Sequence, residues 1–289
     1  MLRWLRKRRR ARLLAEPFPE EWRRYIELNM ALWRAVPESA KPRLMDDLRV
    51  FMAERYWEPC GGVELSAPMR ALIAAQACIL TLGRSVDAFD HVRSILVYPH
   101  SYWAPDLYED EAGVVTEELD EREGEAWELG TVVLSWREVL TDARTLSGCN
   151  LVLHELAHQL DLLDVLHPAY PGATDERELH ARWRETLLDA FDAFCERVDA
   201  GKRVKGLDDY GAEDESEFFA VATESFFERG AYLKTHHPRL YEVLAGYFNQ
   251  DPAAWSLPPP GAEAPGETGR DRRRRRRAEE RRLRKGRAG

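Results

Sequence analysis

The stretch Leu151-Val152-Leu153-His154-Glu155-Leu156-Ala157-His158-Gln159-Leu160-Asp161 holds three side chains able to act together: His154, Glu155 and His158. Its apolar residues recur at helical spacing, and on a helix positions i and i+4 lie one above the other. Both imidazoles therefore aim at one point. That arrangement is a two-toothed clamp for zinc. Leu153, Leu156, Leu160 and Leu163 form the opposite stripe, which buries the back of the helix and fixes the clamp on a rigid element. Glu155, one residue after the first histidine, flanks the metal without ligating it, within reach of a water whose proton it can take. One zinc ion per chain and hydrolysis of a peptide bond are the expectations.

A catalytic zinc normally has three protein ligands and one position open to water, so this pair is one ligand short. Asp164 follows His158 by six residues, the length of an extended motif. That layout needs the chain to leave the helix between the ligands, usually at a glycine, and Asp161 stands there instead. His167 precedes Pro168 at the helix end, about 13 Å of rise beyond His158, which is too far along the axis. His180 follows a Pro/Gly loop. Glu217 shares one helical face with Val221 and Glu224, bordered by Phe218, Phe219, Ala222 and Phe226. Two acids in such a setting call for a compensating charge, which zinc supplies. The plainer alternatives are a capping pair of Glu217 with Asp214 and a solvated Glu224. On residue pattern alone the third ligand stays open. Asp161, at i+7 from His154, is a candidate acceptor for the Nδ1–H of a ligand histidine. Asn150 reads as the helix N-cap and Cys149 beside it as a packed thiol.

The elements that must position these residues are mostly helical. From Pro17 to about Trp57 apolar residues fall at helical spacing in two helices, with breaks at Pro37 and Pro42, and Met69 to Leu82 reads as a buried helix started at Ser66-Ala67-Pro68. Ser94 to Tyr98 and Gly130 to Trp136 are β-favouring runs, the second placed to run along the cleft and pair with an extended substrate. The acidic segment Asp106 to Glu128 between them reads as a loop or loose hairpin, with a weak strand at Gly113 to Val115. Helices are expected over Asn150 to Leu166, Glu178 to about Val198, Asp214 to Glu228 (ended by Gly230) and Pro238 to Phe248. The class is α+β, predominantly helical, with a small sheet. The expected organisation is a basic arm (1–13), one domain (14–257, its helical part about 17–90 and its catalytic part about 91–257) and a disordered Arg-rich tail (258–289).

The formal net charge of −9 hides a segregation. Residues 1–13 carry seven Lys/Arg and no acid, residues 270–289 carry twelve against three acids, and the remainder holds 23 bases against 48 acids. The body is thus near −25 between basic ends, and it disposes the protein weakly toward basic or free-amino-terminal peptides. The first residues suggest a short basic amphipathic helix with Leu2, Trp4 and Leu5 as its apolar anchors, either a solvated or loosely attached arm or a contact for a membrane surface or nucleic acid. The tail suits nucleic acid or an anionic surface, or serves only solubility. Four well-separated cysteines form no CxxC pair, no run nears the roughly 18 apolar residues of a membrane span, and the start lacks a secretory pattern. A cytoplasmic location is the expectation.

Several segments together resemble the zinc-dependent peptidases of the Mlc titration factor A family: GTVVLSW, NLVLHELAHQLD, ESEFFAVATESFF and YFNQDP, with ALIAAQACILTLG and ILVYPHSYW upstream. The resemblance spans most of residues 17–256. It implies a zincin-like core with a His-His-Glu metal site whose third ligand falls at Glu217, and aminopeptidase-like action on small peptides or a protein partner. It also implies an alternative role in sequestering a transcriptional repressor of sugar uptake. The family is similar in its catalytic core to the anthrax lethal factor protease domain, where a tyrosine precedes the glutamate ligand by seven residues. Tyr210 stands at that spacing, and the resemblance gives its phenol the role of hydrogen-bond donor to the oxyanion.

Overall fold

The computed structural model describes residues 2–100, 102–109, 115–122, 124–125, 130–166 and 174–255, with side chains described for 4–100, 130–161 and 183–255. The tail from 258, Gly113-Val114 of the expected weak strand, His167, and the side chains of Asp164 and His180 lie outside them. In chain order the elements are α1 (Leu2–Ala15), α2 (Glu20–Asn29), α3 (Lys41–Glu54), β1 (Tyr56–Pro59), α4 (Ala67–Ile79), β2 (Ser94–Tyr98), β3 (Tyr102–Glu109), β4 (Val115–Arg122), β5 (Gly124–Glu125) and β6 (Thr131–Ser135). There follow α5 (Trp136–Ala143), α6 (Leu151–Leu166), α7 (Thr174–Asp199), α8 (Glu215–Glu228), α9 (Gly230–His236) and α10 (Pro238–Phe248). The predominantly helical α+β class is what the sequence pattern leads one to expect.

The sheet has the order β1-β2-β6-β5; β1, β2 and β6 run parallel and β5 antiparallel to β6. β3 and β4 pair separately as an antiparallel hairpin, within the segment read as a loop or loose hairpin. Parallel strands need a crossover, and α4 supplies it between β1 and β2. Ser66 caps α4 by accepting the Met69 N–H at 3.4 Å, Pro68 sits in its first turn, and every residue from Ala71 to Ile79 is buried. A helix hydrophobic all round belongs at the centre, and α2, α3 and α6 pack against it.

Two expectations need adjustment. The strand read over Gly130–Trp136 is β6, but it does not run to the end of that span: it stops at Ser135, and Trp136 opens α5, with the Ser135 hydroxyl donating to the Glu138 carboxylate. Nor is β6 a free edge for a substrate backbone. β2 pairs along all of it, β5 pairs with Val133 and Leu134 on its other side, and Val132 to Ser135 are almost wholly buried. Gly230 follows the end of α8, as expected, and also starts α9; a Cβ there would lie 2.9 Å from the Ala253 backbone nitrogen, so the close approach requires glycine.

Helix α1 is also better anchored than a loose arm. Arg10 grips Glu54 through Nε and Nη2, both at 2.7 Å, and Asp87 at 2.6 Å; Arg6 reaches Asp87 at 2.6 Å and both oxygens of Asp90. Leu13 and Leu14 pack on the core.

Candidate metal centre

Asn150 opens α6: its side chain accepts the Leu153 N–H at 3.1 Å and its carbonyl accepts the His154 N–H at 2.9 Å. The helix then runs unbroken to Leu166, so the chain does not leave it before Asp164, as a ligand there requires. Leu153, Leu156 and Leu160 are buried as the stripe demanded. Gln159, wholly buried, accepts the Gly130 N–H at 3.0 Å and so ties α6 to the start of β6.

Helix α8 faces α6. Asp214 caps it by accepting the Glu217 backbone N–H at 2.9 Å, so the capping reading holds for the backbone. The Glu217 side chain goes elsewhere: Oε2 lies 3.0 Å from His154 Nε2, and Oε1 lies 3.5 Å from His158 Nε2. The two Nε2 atoms are 3.1 Å apart. Among the described residues these three form a group able to hold a metal ion, their ligand atoms all within 4.8 Å of one another.

The partners behind the histidines decide what faces the centre. His154 Nδ1 lies 2.7 Å from Oε1 of Glu224, which is fully buried, and an ionised carboxylate only accepts. Nδ1 of His154 thus carries the proton and Nε2 presents a lone pair. His158 Nδ1 is 2.9 Å from the Ser216 hydroxyl. Asp161 is not the acceptor for His154, because seven residues displace it about 10 Å along the axis. The lone pair of His154 Nε2, the Nε2 of His158 and a carboxylate whose Oε2 is buried without a hydrogen-bond partner converge on one small volume. They repel unless they share a cation. An N/N/O donor set suits zinc, and metal–ligand bonds of about 2.0 to 2.1 Å in a tetrahedron imply ligand separations of about 3.3 Å, so the residues fit the ion. Burial pushes the Glu217 carboxyl up; were the histidines protonated instead of facing a metal, their attraction would outweigh that effect and hold the group well below the usual carboxylate range.

Glu155 is 5% exposed, next along α6 from His154. Tyr210 lies in a short 3-10 turn, Asp209–Ala212, whose start is fixed by Asp208 accepting the Tyr210 N–H at 3.1 Å. Its ring is 6.0 Å from that of His154, tilted by 44°. Gly211 lets this turn lie against α8, since even a Cβ would come within 3.3 Å of the Phe218 Cα.

Sequence reasoning missed the polar network beneath the histidines. The second Glu224 oxygen accepts the Asn150 N–H, Glu228 accepts from Gly148 N–H at 2.8 Å and Asn150 Nδ2 at 3.0 Å, and Asp142 accepts the Leu151 N–H at 3.2 Å. These acids meet the N-terminus of α6, where unpaired N–H groups and the helix dipole favour negative charge. The signal available was the spacing Glu217, Glu224, Glu228, at i, i+7 and i+11 on one face.

Residues 2–249 match the model of a family described as glucose-regulated metallo-peptidase M90. The chain belongs to this family. Among curated relatives of this M90 protein, an uncharacterized protein of Synechocystis sp. is 30% identical over 246 residues, covering 84% of this chain and 89% of its own. Mlc titration factor A of Yersinia enterocolitica is 30% identical over 257 residues (88% and 93%), and that of Pectobacterium atrosepticum 30% over 236 (81% and 88%). The resemblance read from the sequence motifs therefore holds over most of the chain, and M90 membership makes a metal site an expected part of it.

Proposed function

We propose that this protein is a zinc-dependent peptidase in which His154, His158 and Glu217 hold the metal, Glu155 is the general base and Tyr210 is an oxyanion donor. The observation that carries the reading is the convergence of two Nε2 atoms and a buried carboxylate, with Glu224 fixing the proton of His154 on the far side. Two neutral imidazoles and one carboxylate leave a divalent ion a residual charge of about +1. When held by these residues, a zinc ion would supply Lewis acidity toward a water and the scissile carbonyl. Glu155 takes the proton as water attacks and returns it to the leaving amine as the C–N bond breaks. Tyr210 donates a hydrogen bond to the oxygen on which negative charge develops. The substrates are small peptides or a protein partner, with aminopeptidase-like specificity.

Metal analysis and cleavage of a peptide library by wild type and Glu155→Gln test this. Zinc is expected in both proteins and cleavage only in the first; cleavage by Glu155→Gln at the wild-type rate removes Glu155 from the mechanism. Metal content should fall sharply in Glu217→Ala and little in Asp164→Ala, and the reverse would transfer the third ligand to Asp164.

A second reading rests on the name Mlc titration factor A borne by two relatives. In it the protein binds and sequesters a transcriptional repressor of sugar uptake, with cleavage secondary. A biological effect that survives Glu155→Gln favours this role.

A further inference from the structure

The two faces of α1 do different things. Its inner face is spent on the body through Arg6, Arg10, Leu13 and Leu14. Its outer face exposes Lys7, Arg8, Arg9 and Arg12, and among the described residues none of these is ion-paired with an acid. At the same end Trp4 is 60% and Leu5 51% exposed, with the Arg8 guanidinium 5.4 Å from the Trp4 ring centroid. Scattered exposed apolar residues need no explanation, but an indole and an isobutyl group adjoining four unpaired cations on one pinned helix form a surface with a definite complement.

Beside Leu5 the surface continues into an open cleft of about 630 Å³, bordered by Arg9, Arg55, Arg93 and Tyr56, the last 64% exposed. Its acids, Glu54 and Asp90, are already engaged by Arg10 and Arg6. The Arg55 side chain is almost wholly buried; its Nη2 donates to the Phe89 carbonyl at 2.6 Å and its Nη1 lies 4.0 Å from the Glu54 carboxylate. Arg9 and Arg93 at its border have no acid partner among the described residues, so the cleft carries an excess of positive charge.

We propose that the outer face of α1 with this cleft is a docking surface for an anionic phospholipid bilayer. The cations meet the lipid phosphates, and Trp4 and Leu5 enter the boundary between headgroups and acyl chains. Bilayer is favoured over nucleic acid by the apolar pair at the helix end, which a phosphate backbone gives nothing to bury against. The acidic body, near −25, is repelled by an anionic surface, so the charge distribution also sets which side faces the lipid.

Sedimentation of the full chain with phosphatidylcholine vesicles, with and without phosphatidylglycerol, tests the surface. Binding is expected only with phosphatidylglycerol present. Arg8→Gln/Arg9→Gln should weaken it by roughly 25-fold and Trp4→Ser by about tenfold, with unchanged melting curves because these side chains are exposed. Binding indifferent to all three substitutions assigns the lipid contact to another part of the chain and overturns the proposal. So does absence of binding, or tighter binding to an oligonucleotide that is indifferent to Trp4→Ser.

Discussion

His154 is held from two directions: Nε2 faces Glu217 and His158, and Nδ1 faces Glu224, whose other oxygen takes the N–H of Asn150, the residue that caps the same helix. One carboxylate therefore sets both the tautomer of His154, a ligand in the proposed site, and the seat of the helix that carries it. Replacing it by an amide keeps the shape but not the charge, so Glu224→Gln should weaken zinc binding about 10- to 100-fold, read by competition with a chelator. Ser216→Ala should cost less, because a neutral hydroxyl orients His158 without adding charge. Equal affinities for wild type and Glu224→Gln would reduce Glu224 to a packing residue. At this scale the convergence of the two histidines was legible because one helix fixes their relation. Glu217 and Glu224 were legible as a face, but not as a choice, since no local rule says which face of α8 meets α6. Asp161 failed for the opposite reason: a shared helical face does not mean contact when two turns intervene.

Helix α8 is the element that turns this pairing into a site, because it presents Glu217, Ser216, Glu224 and Glu228 to α6 while Phe218, Phe219, Phe226 and Phe227 anchor its other sides. Long helices such as α6 and α10 were readable from period and punctuation. The eight-residue α5 and seven-residue α9 were not, since each offers barely two turns of pattern and begins where an apolar run or a glycine suggested something else. The seating of α8 has a pH signature. Burial pushes the Glu228 carboxyl well up, with hydrogen bonds from Asn150 and Gly148 opposing and the charges of Asp142 and Glu224 reinforcing. A carboxyl whose folded pKa is raised stabilises the fold most below its unfolded pKa, near ~4.3, and that contribution declines as pH rises toward the folded value. Glu228→Gln cannot lose a proton. It leaves one N–H donor poorly matched, at a roughly constant cost of about 1 to 3 kcal/mol, but the Tm of the variant should fall less than that of wild type as pH rises above ~4.3. Parallel Tm curves would mean that Glu228 titrates alike in both states.

Over the whole molecule the sequence displayed the segregation of charge but not its consequence, because the acids that receive α1 lie 44 to 84 residues away from their arginines. Basic residues near one end of a chain look like a solvated arm until the fold brings Glu54, Asp87 and Asp90 to one place. The resulting network is partly exposed, with side chains of Arg10 and Glu54 at 19% and 18% accessibility, so salt screens it and its worth is modest. Burial raises the Glu54 carboxyl, but hydrogen bonding and attraction from Arg10, with help from Arg6, outweigh it and leave the group below its ordinary range. A depressed carboxylate contributes above its unfolded pKa and ceases to as pH falls through the folded one, so acid should free α1 as salt does. Glu54→Gln removes the bidentate grip of Arg10 and leaves Leu13 and Leu14 packed. It should shift local opening of α1 by about 1 to 2 kcal/mol, roughly 5- to 30-fold, seen as faster hydrogen exchange of the α1 amides at low salt. At high salt wild type should exchange nearly as fast as the variant, while the amides of α6 and α8 stay protected in both. Equal exchange of α1 in the two proteins at low salt would mean that its apolar contacts alone hold the helix in place.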